Sequence, residues 1–246
     1  LALNELIWHE VECGGYSADL PLWEELADEL GEEEAIMELG CGAGRVTLHL
    51  AERGAHLVIG LDRERELVEA IWDRGYQTSA DAEHVDVREL DYFPRPFGLV
   101  LAPMQLIQLL PNSQERISCL DCAVSNMKPG ARAAFAIVEE VPEAFPEGAL
   151  PPLPDVRQAE GWIYSSLPLE PEVLGDSILL RRLRQTVDPD GNMSDELNEI
   201  ELQALSAETL EEEGLEAGLR PTGRRLIPAT EAHVASTVVL FRKEAW

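Results

Sequence analysis

Positive charge is scarce in this chain, and lysine is nearly missing. Only Lys128 and Lys243 stand beside 17 arginines, against 47 acidic residues, and the formal net charge is −28. A polyanionic backbone needs a basic surface, so nucleic acid is not expected as the main partner; an anionic membrane is disfavoured for the same reason. The preference for arginine is read as coding composition, with halophilic adaptation as the minor alternative.

Long apolar stretches are missing too. No run of 18 or more apolar residues exists, so no transmembrane helix is expected. The opening "LALNELIWHEVE" has no basic n-region and no cleavage site, so no signal peptide is read. The chain begins without Met, which leaves room for an upstream segment. Cysteine is sparse: Cys13, Cys41, Cys119 and Cys122. The last two form C-x-x-C inside "ERISCLDCAVSNM", which has helical periodicity. A zinc site wants a second ligand pair, and a redox pair wants a helix start. Neither is present, so these are read as buried or half-buried thiols, with no metal site. Reduced thiols fit a cytoplasmic protein.

What the chain does have is strand–helix alternation. With 246 residues, 45% of them apolar, it suits one large α/β domain or a domain with a small appendage. Residues 1–34 read as an N-terminal helical cap, with Asp19 capping "LPLWEELADEL" and Pro21 in its first turn. From 35 to 140 strands alternate with helices: "AIMEL", "GRVTLHLAERG", "HLVIGLD", "RERELVEAIWDRG", a weak strand at 77–80 or 83–87, "FGLVLAP", a helix reaching Pro129-Gly130, and "ARAAFAIVEE". That spacing predicts a parallel sheet covered on both faces, with ligands at the strand C-termini where strand order reverses. From 141 to 205 the pattern changes. A proline-rich loop leads into "GWIYSSLPLE", "DSILLRRLRQTVD" and "DELNEIELQAL", with an Asp190-Gly191 turn, and predicts an antiparallel insertion that forms a lid over the substrate. Residues 206–246 close the core with a helix capped by Ser206 and two strands.

The stretch "IMELGCGAGRVTLHLA" carries most of the information. Gly40, Gly42 and Gly44 fill a strand-to-helix turn, where glycine permits positive φ and a close backbone approach. A dinucleotide pyrophosphate and the aminoacyl end of S-adenosylmethionine both fit such a turn. The dinucleotide pattern G-x-G-x-x-G fails, because Arg45 stands three residues after Gly42. The pattern E-x-G-x-G-x-G resembles motif I of the class I S-adenosylmethionine-dependent methyltransferases. "HLVIGLD", ending in Asp62, resembles that family's acidic second strand, "AEHVDVREL" its loop after the third strand, and "FGLVLAPMQLIQLL" its motif IV. The resemblance covers about residues 16 to 140.

The resemblance implies a Rossmann-like seven-stranded sheet with helices on both faces, and S-adenosylmethionine as cofactor. Glu38 would lie near the cofactor's ammonium. The turn, with Gly40, Cys41, Gly42, Gly44 and Arg45, would pass its methionine end. Asp62 would accept both ribose hydroxyls, with Arg63 beside it. Asp86 would bond the adenine amino group and Val87 would offer its backbone N–H. Ala102 and Met104 would line the site after the fourth strand. Tyr16, in "GGYSADLPLW", resembles the family's Y-x-x-D segment and would contact the cofactor.

Methyl transfer mainly needs alignment, so no catalytic residue is assigned. The N/D-P-P-Y/F/W signature of adenine- and glutamine-modifying relatives is replaced by Ala102-Pro103-Met104-Gln105, and no histidine base occupies this stretch. Gln105 is a candidate substrate contact. So are Trp162 and Tyr164, which share one strand face. Arg182 and Arg184 share a face as well, as a salt-bridged surface or as an anion-binding wall. His49 and His56 are read as surface or packing residues, and His9 as part of a helix able to reach the site. The resulting expectation is a cytoplasmic methyltransferase acting on O, N or C of a small-molecule acceptor, as monomer or homodimer. The alternatives are a methyltransferase of a protein or RNA partner, a non-catalytic S-adenosylmethionine-binding protein, and an NAD-dependent oxidoreductase.

Overall fold

Five buried residues in a row make β1 (Ala35–Leu39), and the molecule is built outward from it. The computed structural model describes residues 5–75, 77–90, 92–141, 152–231 and 233–244. Before β1 come α1 (Glu5–Cys13) and α2 (Leu20–Asp28); after it come α3 (Arg45–Glu52), β2 (Leu57–Asp62), α4 (Arg65–Gly75), β3 (Ala80–His84) and β4 (Phe97–Ala102). Then follow α5 (Ser113–Asn126), β5 (Met127–Ile137), β6 (Asp155–Ala159), β7 (Trp162–Pro168), β8 (Glu172–Leu174), β9 (Ser177–Val187) and β10 (Met193–Gln203). The chain closes with α6 (Ala207–Glu216), β11 (Leu219–Ile227) and β12 (Ser236–Lys243).

The large sheet has seven strands in the order β11-β12-β5-β4-β1-β2-β3. β3, β2, β1, β4 and β5 are parallel neighbours, while β12 runs antiparallel to both β5 and β11. Strand order reverses between β1 and β4, which opens a crevice at their C-terminal ends. Alternate residues of β1 point to opposite faces. Met37 and Leu39 pack with Leu120 and Leu210 from α5 and α6, and Ile36 packs with Trp23 and Leu50 from α2 and α3. Each such side chain, taken fully out of water, contributes about 1.5–3 kcal/mol. Across the α5–α6 contact, Arg116 donates from Nε and a terminal nitrogen to both carboxylate oxygens of Glu213, at 2.8 and 2.6 Å, and both residues are buried. Deleting one partner would strand the other charge, a loss of about 3–5 kcal/mol.

Two local expectations change. The fifth helix stops at Asn126, not at Pro129-Gly130, and the chain enters β5 directly. Lys243 donates to the carbonyls of Val124 and Met127 at 2.7 and 2.8 Å, satisfying groups that a helix end leaves open. Asp19 sits ahead of α2 but makes no side-chain cap; Trp23 and Arg45 use its carboxylate instead. The weak third strand falls at 80–84, between the two expected positions. Most of the proline-rich stretch after Glu140 lies outside the described residues.

The second sheet is antiparallel, in the order β10-β9-β7-β6, with β8 paired onto β9. β6 and β8 are short and mostly exposed, so no alternation marks them in the sequence. The β9–β10 hairpin turns at Asp188–Asn192, where Asp188 Oδ1 accepts from the Asp190 and Asn192 amides and Gly191 takes φ +85°. Buried Gln108 fastens this sheet to the core: its amide nitrogen donates to the carbonyls of Val138 and Gln203, both at 3.0 Å.

Glu38 is the costly residue of β1. Its carboxyl is buried on the α3 side, where Thr47 donates to it. Burial pushes its pKa up to about 8, so the folded chain prefers the neutral acid. Stability tied to this proton is complete below the ordinary carboxylate pKa near 4.5 and is lost as pH rises toward about 8. Urea unfolding at pH 5 and pH 8 should show the wild type losing on the order of a few kcal/mol relative to Glu38→Gln across that interval. Parallel pH dependence of the two proteins would rule out a buried neutral Glu38.

Candidate functional site

The crevice between β1 and β4 is framed by the turn after β1. Gly40, Gly42 and Gly44 have φ of +65°, +54° and +83°, values a side chain with a Cβ rarely adopts. The turn is tied down at 2.8 Å by the Gly42 amide, which donates to Asp62 Oδ2 at the end of β2. Asp62 Oδ1 accepts from the Glu64 amide at 2.9 Å, so one carboxylate organises the starts of α3 and α4. Cys41 is buried beneath the turn, its amide donating to Leu61 O and its thiol pressed on Gly60; burial raises its pKa well above the thiol range. On the opposite bank, Met104 follows β4 with φ +55°, a strained value for a non-glycine residue. Ala102 is fully covered, and Gln105 and Met104 are half-buried.

The residues after β3 are engaged with each other. Arg88 donates to Asp86 Oδ1 from its backbone amide and from Nε, at 2.9 and 2.8 Å, and its guanidinium also reaches Asp86 Oδ2 and Glu115. The Arg88 guanidinium holds the Asp86 carboxyl down to about 2. Val87 is buried between them, and Arg63 stays exposed, close to Glu64.

Arg45, the residue that breaks the dinucleotide pattern, turns toward the N-terminal segment. Its terminal nitrogens donate to Oδ1 and Oδ2 of Asp19, both at 2.7 Å, and to the Tyr16 carbonyl, and its guanidinium lies 5.1 Å from the centre of the Tyr16 ring. Tyr16 and Asp19 of the Y-x-x-D segment are thus held by motif I itself.

Helix α1 roofs the turn, and here the structure adds what the sequence left open. His9 lies directly over Gly42: a Cβ on Gly42 would come 2.1 Å from His9 Nε2. The Ala43 amide points at His9 Nδ1, a long bond of 3.4 Å. Burial lowers the His9 pKa, ahead of the opposing charge of Asp62, so the ring is neutral near pH 7. A cavity of about 840 Å³ opens beside α1, lined by His9, Tyr16, Ala43, Gly44, Arg45 and Arg157; Asp62, Asp86 and Met104 do not line it. On the Asp62 side the ends of β1 and β2 meet the glycine turn, with His9 seated over it.

On its other flank α1 meets the second sheet. Arg184 Nε and a terminal nitrogen donate to the two oxygens of Glu12 at 2.7 and 2.9 Å, and Ser166 Oγ donates to Glu12 as well. Arg182 binds Ser166 and Asp155. Arg182 and Arg184 do share a face, as their alternation predicts, but the face is turned inward and its charge is neutralised. Trp8 packs edge-on against Tyr164 at 5.6 Å, and Tyr164 stacks on Trp162 at 6.4 Å. Trp8 Nε1 is buried with no acceptor among the described residues, an unmet donor that costs about 1–3 kcal/mol.

Of two histidines now placed, the sequence pointed to one. His9 was legible only as part of a helix; its place on Gly42 depends on how α1 docks. His233, in the β11–β12 connection, stacks on Tyr16 with ring centres 4.5 Å apart. Nothing in its local sequence marks it. Among the described residues no three His, Cys, Asp or Glu side chains gather as a metal set, and no helix is long and apolar enough to cross a membrane.

Comparison with known proteins follows the same lines. Residues 36–130 match the family model described as a methyltransferase domain. Trans-aconitate 2-methyltransferase of Rhodococcus jostii is 37% identical over 81 residues, 32% of this chain and 30% of that protein. Cypemycin N-terminal methyltransferase of a Streptomyces species is 29% identical over 98 residues, 40% of this chain and 39% of that protein. The matches thus span about a third of the length of these relatives. Among solved structures, the sugar N-methyltransferase KedS8 from Streptoalloteichus superposes with a TM-score of 0.74 at 16% identity, covering 98% of this chain and 92% of that one. CalS10, an amino pentose methyltransferase from Micromonospora echinaspora, gives 0.70 at 15% identity over 99% and 97%. Those likenesses extend the fold through the second sheet to the closing strands. A region like a methyltransferase domain thus lies at residues 36–130, inside a fold that the chain shares with these solved methyltransferases.

Proposed function

We propose that the protein transfers a methyl group from S-adenosylmethionine to an O, N or C atom of a small molecule. The observation that carries this reading is the Gly42–Asp62 bond, which sets a cradle without side chains beside a carboxylate at the edge where strand order reverses. The residues fit the cofactor on that edge. Any Cβ at Gly42 would fill the cradle, and the Ala43 amide, held only by a long bond to His9, is the donor left for a carboxylate. When bound, S-adenosylmethionine supplies a methyl group on a positive sulfur, open to in-line displacement.

The chain's own part is binding and alignment. The turn Gly40–Gly44 takes the methionine end, and His9 shifts to admit it. Asp62 keeps lone pairs beyond those used by Gly42 and Glu64, and these accept the ribose hydroxyls. Asp86, fixed by Arg88, accepts from the adenine amino group, with Val87 offering its amide and Arg63 flanking. Tyr16, Ala102 and Met104 border the reacting end. Glu38 and Cys41 act from beneath by fixing the turn, and Arg45 by holding the Tyr16 segment. The helical cap of residues 1–34 and the insertion of 141–205 close over the core of 35–140 and 206–246. Gln105, Trp162 and Tyr164 face the acceptor.

Three features support a small acceptor. An aromatic and polar face of the second sheet packs against α1 through Tyr164 and Arg184. Folds of this kind include methyltransferases of sugars and amino pentoses. The net charge of −28 repels polyanions and favours neutral or cationic acceptors. We take the protein to work in the cytoplasm, as a monomer or homodimer.

Asp62→Ala should weaken S-adenosylmethionine binding by about 2 kcal/mol, roughly thirtyfold, in calorimetry, with the fold intact by circular dichroism. Undiminished affinity would remove Asp62 from the ribose. Gly42→Val should abolish cofactor binding, since a branched Cβ at φ +54° meets both strain and His9. For Trp162→Ala, turnover across a panel of amine and hydroxyl acceptors should fall at least tenfold while cofactor affinity holds. A drop in melting temperature with normal kinetics would make this ring hairpin packing only.

A further inference from the structure

His233 is the one half-buried histidine of the crevice rim that the reading above leaves without a task. Its loop joins β11 to β12, and β12 starts at the same sheet edge where β4 and β5 end, because it runs antiparallel to them. The loop is braced by Thr230, whose amide donates to the His233 carbonyl at 2.8 Å and whose hydroxyl accepts from the His233 amide at 3.0 Å. The ring then lies tilted on Tyr16, which the Arg45 guanidinium also approaches. Tyr16 packs in the same apolar cluster as Met104, the strained residue after β4. The imidazole therefore lies on the Y-x-x-D segment, whose Tyr16 packs in turn with the motif IV turn.

The ring's hydrogen bonding is one-sided. Nδ1 faces the Thr230 hydroxyl at 3.5 Å, while Nε2 has no partner among the described residues. The charged groups that face it are Asp19 and Arg45 from the core and Asp155 and Arg182 from the second sheet, two of each sign, with the Tyr16 ring between. Their effects oppose one another, and burial lowers the pKa, so the imidazole is neutral near pH 7. A neutral, positioned imidazole with a free nitrogen at the mouth of a crevice is suited to take a proton.

We propose that His233 is the proton acceptor of the methyl-transfer site, with Nε2 turned toward the acceptor atom; this rests on the methyltransferase reading. The acceptor's lone pair forms the new bond to the methyl carbon as the carbon–sulfur bond breaks and its electron pair stays on sulfur. The acceptor's proton passes to Nε2, and the imidazolium returns it to solvent. His233 can serve an O–H or N–H acceptor this way, and the class of substrate it suits is one that must lose a proton.

A test that needs no acceptor uses the charge of the cofactor itself. The histidine Cε1–H signals of the full chain are titrated by NMR in complex with S-adenosylhomocysteine, whose sulfur is neutral, and with S-adenosylmethionine, whose sulfur is positive. His233→Gln assigns the signal, and a cross-peak to the Tyr16 ring assigns it independently if that variant folds poorly. Next to the transferring methyl, His233 should titrate below pH 7 with the neutral compound and about 1 pH unit lower with the sulfonium. His49 and His56 should not move. Equal titration in both complexes, or protonation above pH 8, would overturn the proposal. If neither compound perturbs any signal, the chain does not bind the cofactor and the methyltransferase reading falls first.

Discussion

A single hydrogen bond, from the Gly42 amide to Asp62, sets the geometry on which the site depends. β1 and β2 are in register from Ala35–Leu57 to Leu39–Leu61, so their ends arrive side by side. The chain must then turn sharply enough for the Gly42 amide to face back toward β2, and only positive φ at Gly40 and Gly42 permits that. The other Asp62 oxygen fixes the Glu64 amide at the start of α4. One carboxylate thus couples two strand ends to two helix starts. Disturbing it would open the crevice on both sides, which is why binding and local architecture cannot be separated here.

Helix α1 is the second constraint, because nine residues serve three neighbours. His9 faces the glycine turn; Glu10 pairs with Arg74 of α4 and Arg157 of β6; Glu12 holds Arg184 and Ser166 of the second sheet. Its apolar contribution is mainly Trp8 and Val11. A helix this short is marginal alone, so its place is set by these partners. The buried Arg184–Glu12 pair and the packed Trp8 hold it in place with His9 over the glycine turn.

The core was legible because its elements repeat a local rule: a short apolar strand, a turn residue, an amphipathic helix. Five glycine- or carboxylate-marked positions (Gly40, Gly42, Gly44, Asp62 and Asp86) stood out for the same reason, since special φ or a strand-end carboxylate leaves a sequence signature. What stayed hidden was non-local. Asn126 and Lys243 end α5 early through contacts from across the fold. Asp19 looks like a helix cap, yet Arg45, 26 residues away, outbids the backbone for it. His9 and His233 carry no motif; docking alone gives them their neighbours. β6 and β8 are exposed ribbons whose pairing comes from β7 and β9 rather than from their own pattern.

The distribution of arginine bears on the chemistry in the crevice. Among the described residues six arginines make two-pronged bonds to carboxylates: Arg45 to Asp19, Arg88 to Asp86, Arg116 to Glu213, Arg184 to Glu12, Arg224 to Glu211 and Arg225 to Glu25. A planar fork fits a carboxylate in a way that lysine's point charge does not. Because these forks are spent internally, they do little to offset the acidic surface, and its field remains negative. A negative field raises the pKa of an exposed imidazole and keeps it protonated further into the neutral range. His9 and His233 are the two histidines whose pKa burial lowers, and both lie at the crevice. Burial under α1 and in the β11–β12 loop thus holds these two imidazoles toward the neutral form within a strongly acidic chain.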